Sequence, residues 1–220
     1  VLILSIFPGI DLLGRAFEEE WPEVCVVRGP DLLWGSDIKT FHPPAGKFNG
    51  IIGGPPCQLF SQGQVLSRRK TPLPPNLIPE FERVVKEAQP EWWLMENVPR
   101  APIPIVEGYQ ATSQLLNNRW FGAEQDRKRR FTFGTHEGLM LNIEVVIFES
   151  PIKEHTVVAS EGAKGFRPEG FRSPYHPRRP FKYLCYLQGI PELNLPVFTL
   201  KAQYEVVGNA VPIAMGRAVA

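Results

Sequence analysis

The residue of this sequence best suited to chemistry is a cysteine that follows two glycines and two prolines. Cys57 closes the segment Gly53–Cys57, directly after the apolar residues Ile51 and Ile52. Proline fixes φ and lacks an N–H group, so the chain must turn sharply after a short buried strand. A thiol at the carboxyl end of a strand stands where open α/β sheets bind ligands. Free cysteines are more often buried and inert, so Cys57 alone leaves both alternatives open.

An acid and two arginines extend this pattern. Glu96 follows the apolar residues 92–95, which predict another short buried strand. Cys57 and Glu96 are therefore expected at the same edge of a parallel sheet, where apolar neighbours keep a carboxylic acid protonated. A thiolate beside such an acid suits covalent catalysis. Arg127 and Arg129 have the same parity along a predicted strand and share a face, although a solvated basic run is the alternative for them.

The amino-terminal residues predict a strand, a turn and a helix. Residues 1–7 are mostly apolar, Pro8 and Gly9 turn the chain, and Asp11 is placed to cap a helix. The inner side of that helix would carry Leu12, Leu13, Ala16 and Phe17. Such a unit suits a nucleotide-like cofactor, whose polar groups meet backbone N–H groups at a helix N-terminus. The Gly-x-Gly-x-x-Gly pattern is absent, so an ordinary strand–helix turn is the alternative.

Strand-like and helix-like segments alternate along the first half of the chain, which predicts an α/β fold with a parallel sheet. Further strands are predicted at 24–27, 48–52, 92–95, 130–134 and 143–148, and further helices at 79–88 and 210–220. Proline, glycine, aromatic and charged residues dominate from about His136 to Arg178. We therefore predict one core from residues 1–135 and 180–220, with a small irregular lobe over 136–179.

Composition limits the class of protein. With 220 residues, 43% hydrophobic and 21% charged, the chain can bury one sizeable core. A net charge of +1 gives no global signal for nucleic-acid binding. Three irregularly spaced cysteines argue against a disulfide framework. No run of eighteen apolar residues and no signal-peptide pattern is found, so we expect a cytoplasmic protein with neither membrane nor metal binding.

The order of these segments resembles the cytosine-5 DNA methyltransferase family across nearly the whole length. The matching segments are Phe7-Pro8-Gly9, Asp37-Ile38, Gly54 to Ser61, Glu96-Asn97-Val98, Gln125-x-Arg127-x-Arg129, Tyr183 to Pro191 and Gly208 to Pro212. Single short motifs arise by chance, but a series in the family's order does not. The resemblance implies a Rossmann-like class I S-adenosylmethionine-dependent methyltransferase sheet, with helices on both faces and a small irregular target-recognition lobe.

The resemblance also implies roles for the residues of the site. The Cys57 thiolate would attack C6 of a cytosine flipped out of double-stranded DNA, and Glu96 would protonate N3. Arg129 would contact O2 of the base, while Arg127 would support Cys57 or the backbone. The cofactor would be S-adenosyl-L-methionine. Its expected contacts are Phe7, Gly9, Ile10, Asp11, Leu12, Asp31, Asp37, Ile38, Pro56, Leu77, Asn209 and Val211.

The residues expected to contact DNA by the same resemblance are Gln58, Ser61, Arg68, Arg69, Arg167, Arg172 and Arg178. Residues 62–75 correspond to the family's mobile active-site loop, whose basic side chains could neutralise phosphates; a solvated loop is the alternative. Residues 136–179 are far fewer than the family's usual recognition domain. A short recognition site is therefore predicted, because each base pair that is read needs its own contacts.

The sequence departs from the family pattern at three positions. Asp11 replaces the usual second glycine of the first motif, Asp31 is only a candidate for the ribose hydroxyls, and Glu124 stands where proline is common. One alternative is a tRNA cytosine-5 methyltransferase, although the segment after Cys57 lacks the Cys-Phe-Thr signature of that branch. Another is a catalytically inactive DNA-binding homologue. We expect a monomer of the restriction-modification type, in a prokaryotic cell or in the host of a phage.

Overall fold

A computed structural model describes residues 1–60, 74–146, 150–165 and 176–220 of the chain. The strands are β1 (Leu2–Ile6), β2 (Cys25–Arg28), β3 (Gly50–Gly53), β4 (Trp92–Asn97), β5 (Gln110–Asn117), β6 (Gln125–Asp126), β7 (Lys128–Thr135) and β8 (Glu154–His155). The helices are α1 (Leu12–Glu20), α2 (Ile78–Ala88), α3 (Glu161–Lys164), α4 (Phe181–Leu187), α5 (Leu200–Asn209) and α6 (Ile213–Val219). Short 3₁₀ turns lie at Leu32–Trp34, Ile38–Thr40 and Asn118–Phe121.

The main sheet is mixed and has the strand order β2-β1-β3-β4-β7-β5. Strands β1 to β4 pair in parallel, as predicted. Strand β7 is antiparallel to both of its neighbours, β4 and β5, which corrects the prediction of a wholly parallel sheet. A second, two-stranded sheet pairs β6 with β8.

Helices cover both faces of the sheet because successive side chains of each strand point to opposite faces. Leu4 and Ile6 of β1 pack in the cluster that contains Phe81 and Val84 of α2. Ile3, whose position has the opposite parity, packs with Leu13, Phe17 and Met215, which belong to α1 and α6 on the other face. The layered α/β architecture expected from the sequence is therefore confirmed.

Several predicted elements differ from those observed. The edge strand β5 was not predicted, because only its last two residues are buried and its polar and apolar residues do not alternate. Residues 143–146 form no strand, and 147–149 lie outside the described residues. The predicted helix 210–220 begins only at Ile213, since Pro212 restricts the residue before it. The preceding helix α5 was not predicted.

A buried ion pair within the predicted lobe, and a hydrogen bond from the core to the same arginine, hold its described part in place. Arg179 Nη2 lies 2.9 Å from Oε2 of Glu161, in α3, and both side chains are buried. The Tyr204 hydroxyl of α5 donates a hydrogen bond to the Arg179 carbonyl. Within the described ranges, every helix falls short of the length and apolar character that crossing a bilayer requires.

Candidate active site

The turn after β1 has an unusual backbone. Phe7, Gly9 and Asp11 all have φ close to +55°, a left-handed backbone conformation that residues other than glycine rarely adopt. Its shape is maintained by contacts with the segment after β2. The Phe7 N–H donates to the Pro30 carbonyl at 3.2 Å, and the Gly9 N–H donates to Asp31 Oδ2 at 2.8 Å.

Asp11 supports this turn from its buried side. Its Oδ1 accepts hydrogen bonds from the Ser5 hydroxyl at 2.7 Å and from the Gly14 N–H at 3.3 Å, which makes it the predicted N-cap of α1. Its Oδ2 accepts from Arg28 Nε at 3.1 Å. These partners occupy a carboxylate that is only 3% exposed. Asp11 therefore holds the turn and faces away from the ligand space described next.

A cavity of about 540 Å³ opens beyond the carboxyl ends of β1, β3 and β4. The expected cofactor residues that line it are Phe7, Gly9, Ile10, Asp31, Asp37, Ile38, Pro56, Leu77 and Asn209. Asp11, Leu12 and Val211 are not among its lining residues. Leu12 and Val211 are buried in the core instead, because they lie on the inner sides of their segments.

The chemistry of this cavity fits a nucleoside-containing cofactor. Its volume lies within the roughly 300–1,000 Å³ range of small-molecule sites. Phe7, Ile38 and Leu77 provide apolar surface for a flat base, while Asp31 and Asp37 provide carboxylate acceptors. Backbone groups already fix both carboxylates: Asp31 Oδ1 accepts from the Leu33 N–H at 2.8 Å, and Asp37 Oδ1 accepts from the Lys39 N–H at 3.0 Å. The acceptors are therefore oriented before any ligand binds.

The other end of the same cavity carries the predicted catalytic residues. Cys57, Glu96 and Arg129 line it, reached from β3, β4 and β7. Arg129 Nε lies 2.8 Å from Glu96 Oε1, an ion pair that forms because β7 runs beside β4. A Cβ atom on Gly54 would lie 3.2 Å from Glu96 Oε2, so glycine leaves room for the carboxylate. The prediction that Cys57 and Glu96 meet at one sheet edge is confirmed.

Burial shifts the pKa values of Glu96 and Cys57. Burial raises the pKa of Glu96 above its ordinary value, although the positive charges of Arg129 and Arg127 act against this. Burial and the nearby Glu96 carboxylate raise the pKa of the Cys57 thiol, again opposed by the two arginines. Both shifts favour the protonated form more than in the free carboxyl group and the free thiol.

Arg127 is fully buried and acts on the backbone that forms the cavity wall. Its Nη1 donates to the Val157 carbonyl at 2.7 Å, and its Nη2 donates to the carbonyls of Gly208 and Ala210 at 3.0 and 3.1 Å. Burial, together with the charge of Arg129, lowers the pKa of Arg127 to about 9, so the guanidinium remains charged at neutral pH. Of the two roles expected for Arg127, this geometry favours support of the backbone.

Known proteins with similar sequences identify the family of this chain. A model of C-5 cytosine-specific DNA methylases matches residues 35–102. The Type II methyltransferase M.FnuDI of Fusobacterium nucleatum is 32% identical over 179 residues, which cover 69% of this chain and 51% of that protein. M.HgiDI of Herpetosiphon aurantiacus is 31% identical over 157 residues, covering 66% and 47%. The chain belongs to the cytosine-5 DNA methyltransferase family. It spans about half the length of these curated relatives.

Solved structures show the same fold for this cytosine-5 DNA methyltransferase family member. A mutant of DNMT2 from Spodoptera frugiperda superposes with a TM-score of 0.69 at 13% identity, covering 98% of this chain and 97% of that one. A putative DNA modification methyltransferase encoded within an E. coli prophage superposes with a TM-score of 0.63 at 16% identity, covering 100% and 97%. These likenesses establish the Rossmann-like fold.

Two polar residues of the family's motifs have structural roles that the sequence did not indicate. Asn97, 1% exposed, donates from Nδ2 to the Pro55 carbonyl at 3.0 Å and so joins the acid's strand to the turn before Cys57. Gln125 donates from Nε2 to Gln188 Oε1 at 3.0 Å. The sequence signal for each was its place in a family motif. In this family member, both join segments that are distant in sequence.

The residues expected to contact DNA are only partly described. Gln58 lines the cavity beside Cys57. Arg178 is exposed, donates to the Gly162 carbonyl at 3.4 Å, and lies over the Tyr204 ring at 5.8 Å. The expected contacts that lie outside the described residues are Ser61, Arg68, Arg69, Arg167 and Arg172. Where this methyltransferase family member is described, no group of three or more acidic, histidine or cysteine side chains could hold a metal ion.

Proposed function

We propose that this chain transfers a methyl group from S-adenosyl-L-methionine to C5 of a cytosine in double-stranded DNA, through a covalent bond between Cys57 and the flipped base. The observation that carries the proposal is the single cavity that joins a nucleoside-type site to Cys57, Glu96 and Arg129. The description of the matching family model, C-5 cytosine-specific DNA methylase, supports DNA as the substrate. The proposal concerns the reaction at the cavity that contains Cys57, Glu96 and Arg129.

The protein's task in this reaction is to make a poorly nucleophilic carbon electron-rich. The Cys57 thiolate adds to C6, and Glu96 gives its proton to N3, so that negative charge does not accumulate on the ring. The raised pKa of Glu96 suits it to this role because a proton must be present to be given. We assign Arg129, which pairs with the Glu96 carboxylate, to the base O2.

S-adenosyl-L-methionine, when bound, supplies the electrophilic methyl group that C5 acquires. Loss of the C5 proton to a base and breakage of the bond between C6 and sulfur then regenerate Cys57. We assign the cofactor's hydroxyl and amino groups to Asp31 and Asp37, and the surface of its base to Phe7 and Ile38. Arg127 acts from behind the cavity by holding the backbone at Gly208 and Ala210.

Bisulfite sequencing of a plasmid from cells that express the protein tests this function. We expect wild type to methylate cytosines at defined sites, and Cys57→Ser to lose activity by at least about 10³-fold because a hydroxyl is hardly ionised at neutral pH. Cofactor binding, measured by calorimetry, should survive in the variant. Cys25→Ser is the matched control, since Cys25 is an exposed thiol outside the cavity lining.

Each other outcome contradicts a stated part of the proposal. Wild-type turnover in Cys57→Ser would exclude the covalent mechanism. Cofactor binding without methylation by wild type would identify a catalytically inactive homologue, and methylation of tRNA instead of DNA would identify the RNA-directed branch. A duplex that contains 5-fluorocytosine should trap wild type covalently, because fluorine cannot leave as a proton does.

A further inference from the structure

Both backbone polar groups of Gly9 form hydrogen bonds with side chains outside the turn. The Gly9 N–H donates to Asp31 Oδ2 at 2.8 Å. The Gly9 carbonyl accepts from the indole Nε1 of Trp34 at 2.7 Å. Because the turn contains Phe7 and Asp11 at φ close to +55°, an arrangement disfavoured for these residue types, it needs such restraints to keep its shape.

Trp34 also contacts the segment that leads into α5, whose far end lines the cavity. Its ring meets that of Phe198 edge-on, with centroids 5.8 Å apart and planes at 66°. Phe198 lies just before α5, and the far end of α5 brings Gly208 and Asn209 into the cavity lining. Trp34 itself does not line the cavity. It therefore lies between the first turn and the carboxyl-terminal segment, in contact with both.

The exposure of Trp34 argues against a role in the core. Trp34 is 56% exposed, and Leu32, two residues before it, is 72% exposed. Burial of Trp34 therefore contributes little to folding, while its hydrogen bond has a defined target in the turn. No motif of the sequence includes Trp34.

We infer that Trp34 is a positioning residue for the cofactor site: its indole N–H fixes the Gly9 turn in the binding conformation, and Phe198 braces the ring. The inference rests on the proposed function for the identity of the cofactor. Trp34 touches neither the cofactor space nor the catalytic residues, so it affects binding of the cofactor and leaves the chemical step unchanged.

Replacement of Trp34 by phenylalanine tests this, because Trp34→Phe keeps a ring against Phe198 and removes only the N–H group. We expect the dissociation constant of S-adenosyl-L-methionine, measured by calorimetry, to rise about three- to tenfold. The value of kcat at saturating cofactor should stay at the wild-type level while KM for the cofactor rises. Hydrogen exchange should be faster in the peptide that contains Gly9, without any ligand present.

The matched control is Trp21→Phe. Trp21 is also an exposed tryptophan, 48% accessible, whose Nε1 donates to a backbone carbonyl, that of Ala220 at 2.8 Å. It lies outside the cavity lining, so its variant should bind the cofactor as wild type does. Phe198→Ala should weaken cofactor binding in the same direction as Trp34→Phe.

A dissociation constant and an exchange rate of Trp34→Phe within twofold of those of Trp21→Phe would overturn the inference. A fall in kcat with unchanged KM would also overturn it, since that would place Trp34 in the chemical step. Failure of wild type itself to bind S-adenosyl-L-methionine would instead contradict the proposed function, and the two failures are therefore distinguishable.

Discussion

At the scale of single residues, the environment of Glu96 determines the chemistry of the site. Two protonation states compete at a buried carboxyl group with a cation beside it: the neutral acid, and the carboxylate that forms an ion pair. Burial favours the acid, and Arg129 favours the carboxylate. The thiol of Cys57 responds to the same charges, because Glu96 raises the pKa of the thiol and Arg129 lowers it. The thiol and the carboxyl group are thus linked through their electrostatics.

This linkage predicts the effect of Glu96→Gln. The variant cannot protonate N3, so methylation should slow by about 10²–10⁴-fold while cofactor affinity stays within a few-fold. Its Cys57 should nevertheless react faster with iodoacetamide at a given pH, because removal of the carboxylate lowers the pKa of the thiol and more thiolate is present. Peptide mass spectrometry distinguishes Cys57 from the exposed Cys25.

Arg129→Gln is the counterpart of this variant. Arg129 lowers the pKa of the Cys57 thiol, so its removal should move the pH profile of alkylation to higher pH. The profile of Glu96→Gln should move to lower pH. Identical profiles in wild type and both variants would show that Cys57 is not coupled to this ion pair.

The sequence predicted which residues meet at the catalytic end but not how their neighbours support them. Cys57 and Glu96 could be placed at one edge because each directly follows an apolar run. Asp11 was expected among the cofactor contacts, yet its carboxylate is occupied inside the turn. Trp34 went unnoticed because its role depends on a hydrogen bond to a turn that lies 25 residues earlier.

At the scale of secondary-structure elements, β6, Arg127 and β7 link the sheet to the carboxyl-terminal segment. Because β7 is reversed and lies next to β4, its first residues stand beside the end of β4, which places Arg129 on Glu96. Arg127 precedes β7 and extends to the carbonyls of Gly208 and Ala210. One short segment therefore supplies both the ion pair of the acid and the support of the cavity wall.

Arg127→Lys should weaken this link. A lysine keeps the charge, but its single ammonium group cannot reproduce the planar fork that reaches three carbonyls. Loss of charged hydrogen bonds in a buried site should lower the free energy of unfolding by about 2–4 kcal/mol, measured by urea denaturation. Cofactor binding should weaken as well, because Gly208 lines the cavity.

Arg130→Lys provides the comparison for Arg127→Lys. Arg130 is only partly buried and donates to one carbonyl, that of Ala101 at 2.7 Å. Its loss should cost clearly less than that of Arg127. Equal losses in the two variants would show that Arg127 has no special part in holding the carboxyl-terminal segment.

Elements with a clear hydrophobic period were predictable, and those without one were not. The helix α2 has its buried residues at helical spacing, and its predicted bounds differ from the observed ones by one residue. The direction of β7 could not be read from its residues, because strand direction depends on the connection through β5, which the sequence did not reveal. Tertiary pairing, rather than local pattern, decides such features.

At the scale of the whole molecule, we propose that residues 136–179 read the DNA, and their small number then limits the sequence that they can specify. A specific base pair needs its own bidentate or apolar contact. We therefore predict a methylated site of about two to four base pairs. A site of six or more specified pairs would show that further residues or a partner chain contribute to recognition.

Arg178 is the described arginine with which to test the readout. If it contacts a base, Arg178→Ala should relax specificity at one position, with a loss of about 1–3 kcal/mol of discrimination. If it contacts a phosphate, binding should weaken evenly across sequences. Methylome sequencing of wild type and variant separates the two, and wild-type specificity with wild-type affinity would remove Arg178 from the interface.

The cofactor cavity combines Gly9 with Asn209, which lie about 200 residues apart in the chain. Contacts of such long sequence separation form late in folding, because closing a long loop costs entropy before the contacts are gained. The cavity therefore cannot exist in a folding intermediate that lacks the carboxyl-terminal segment. A ligand that binds there therefore stabilises only states in which both segments are in place.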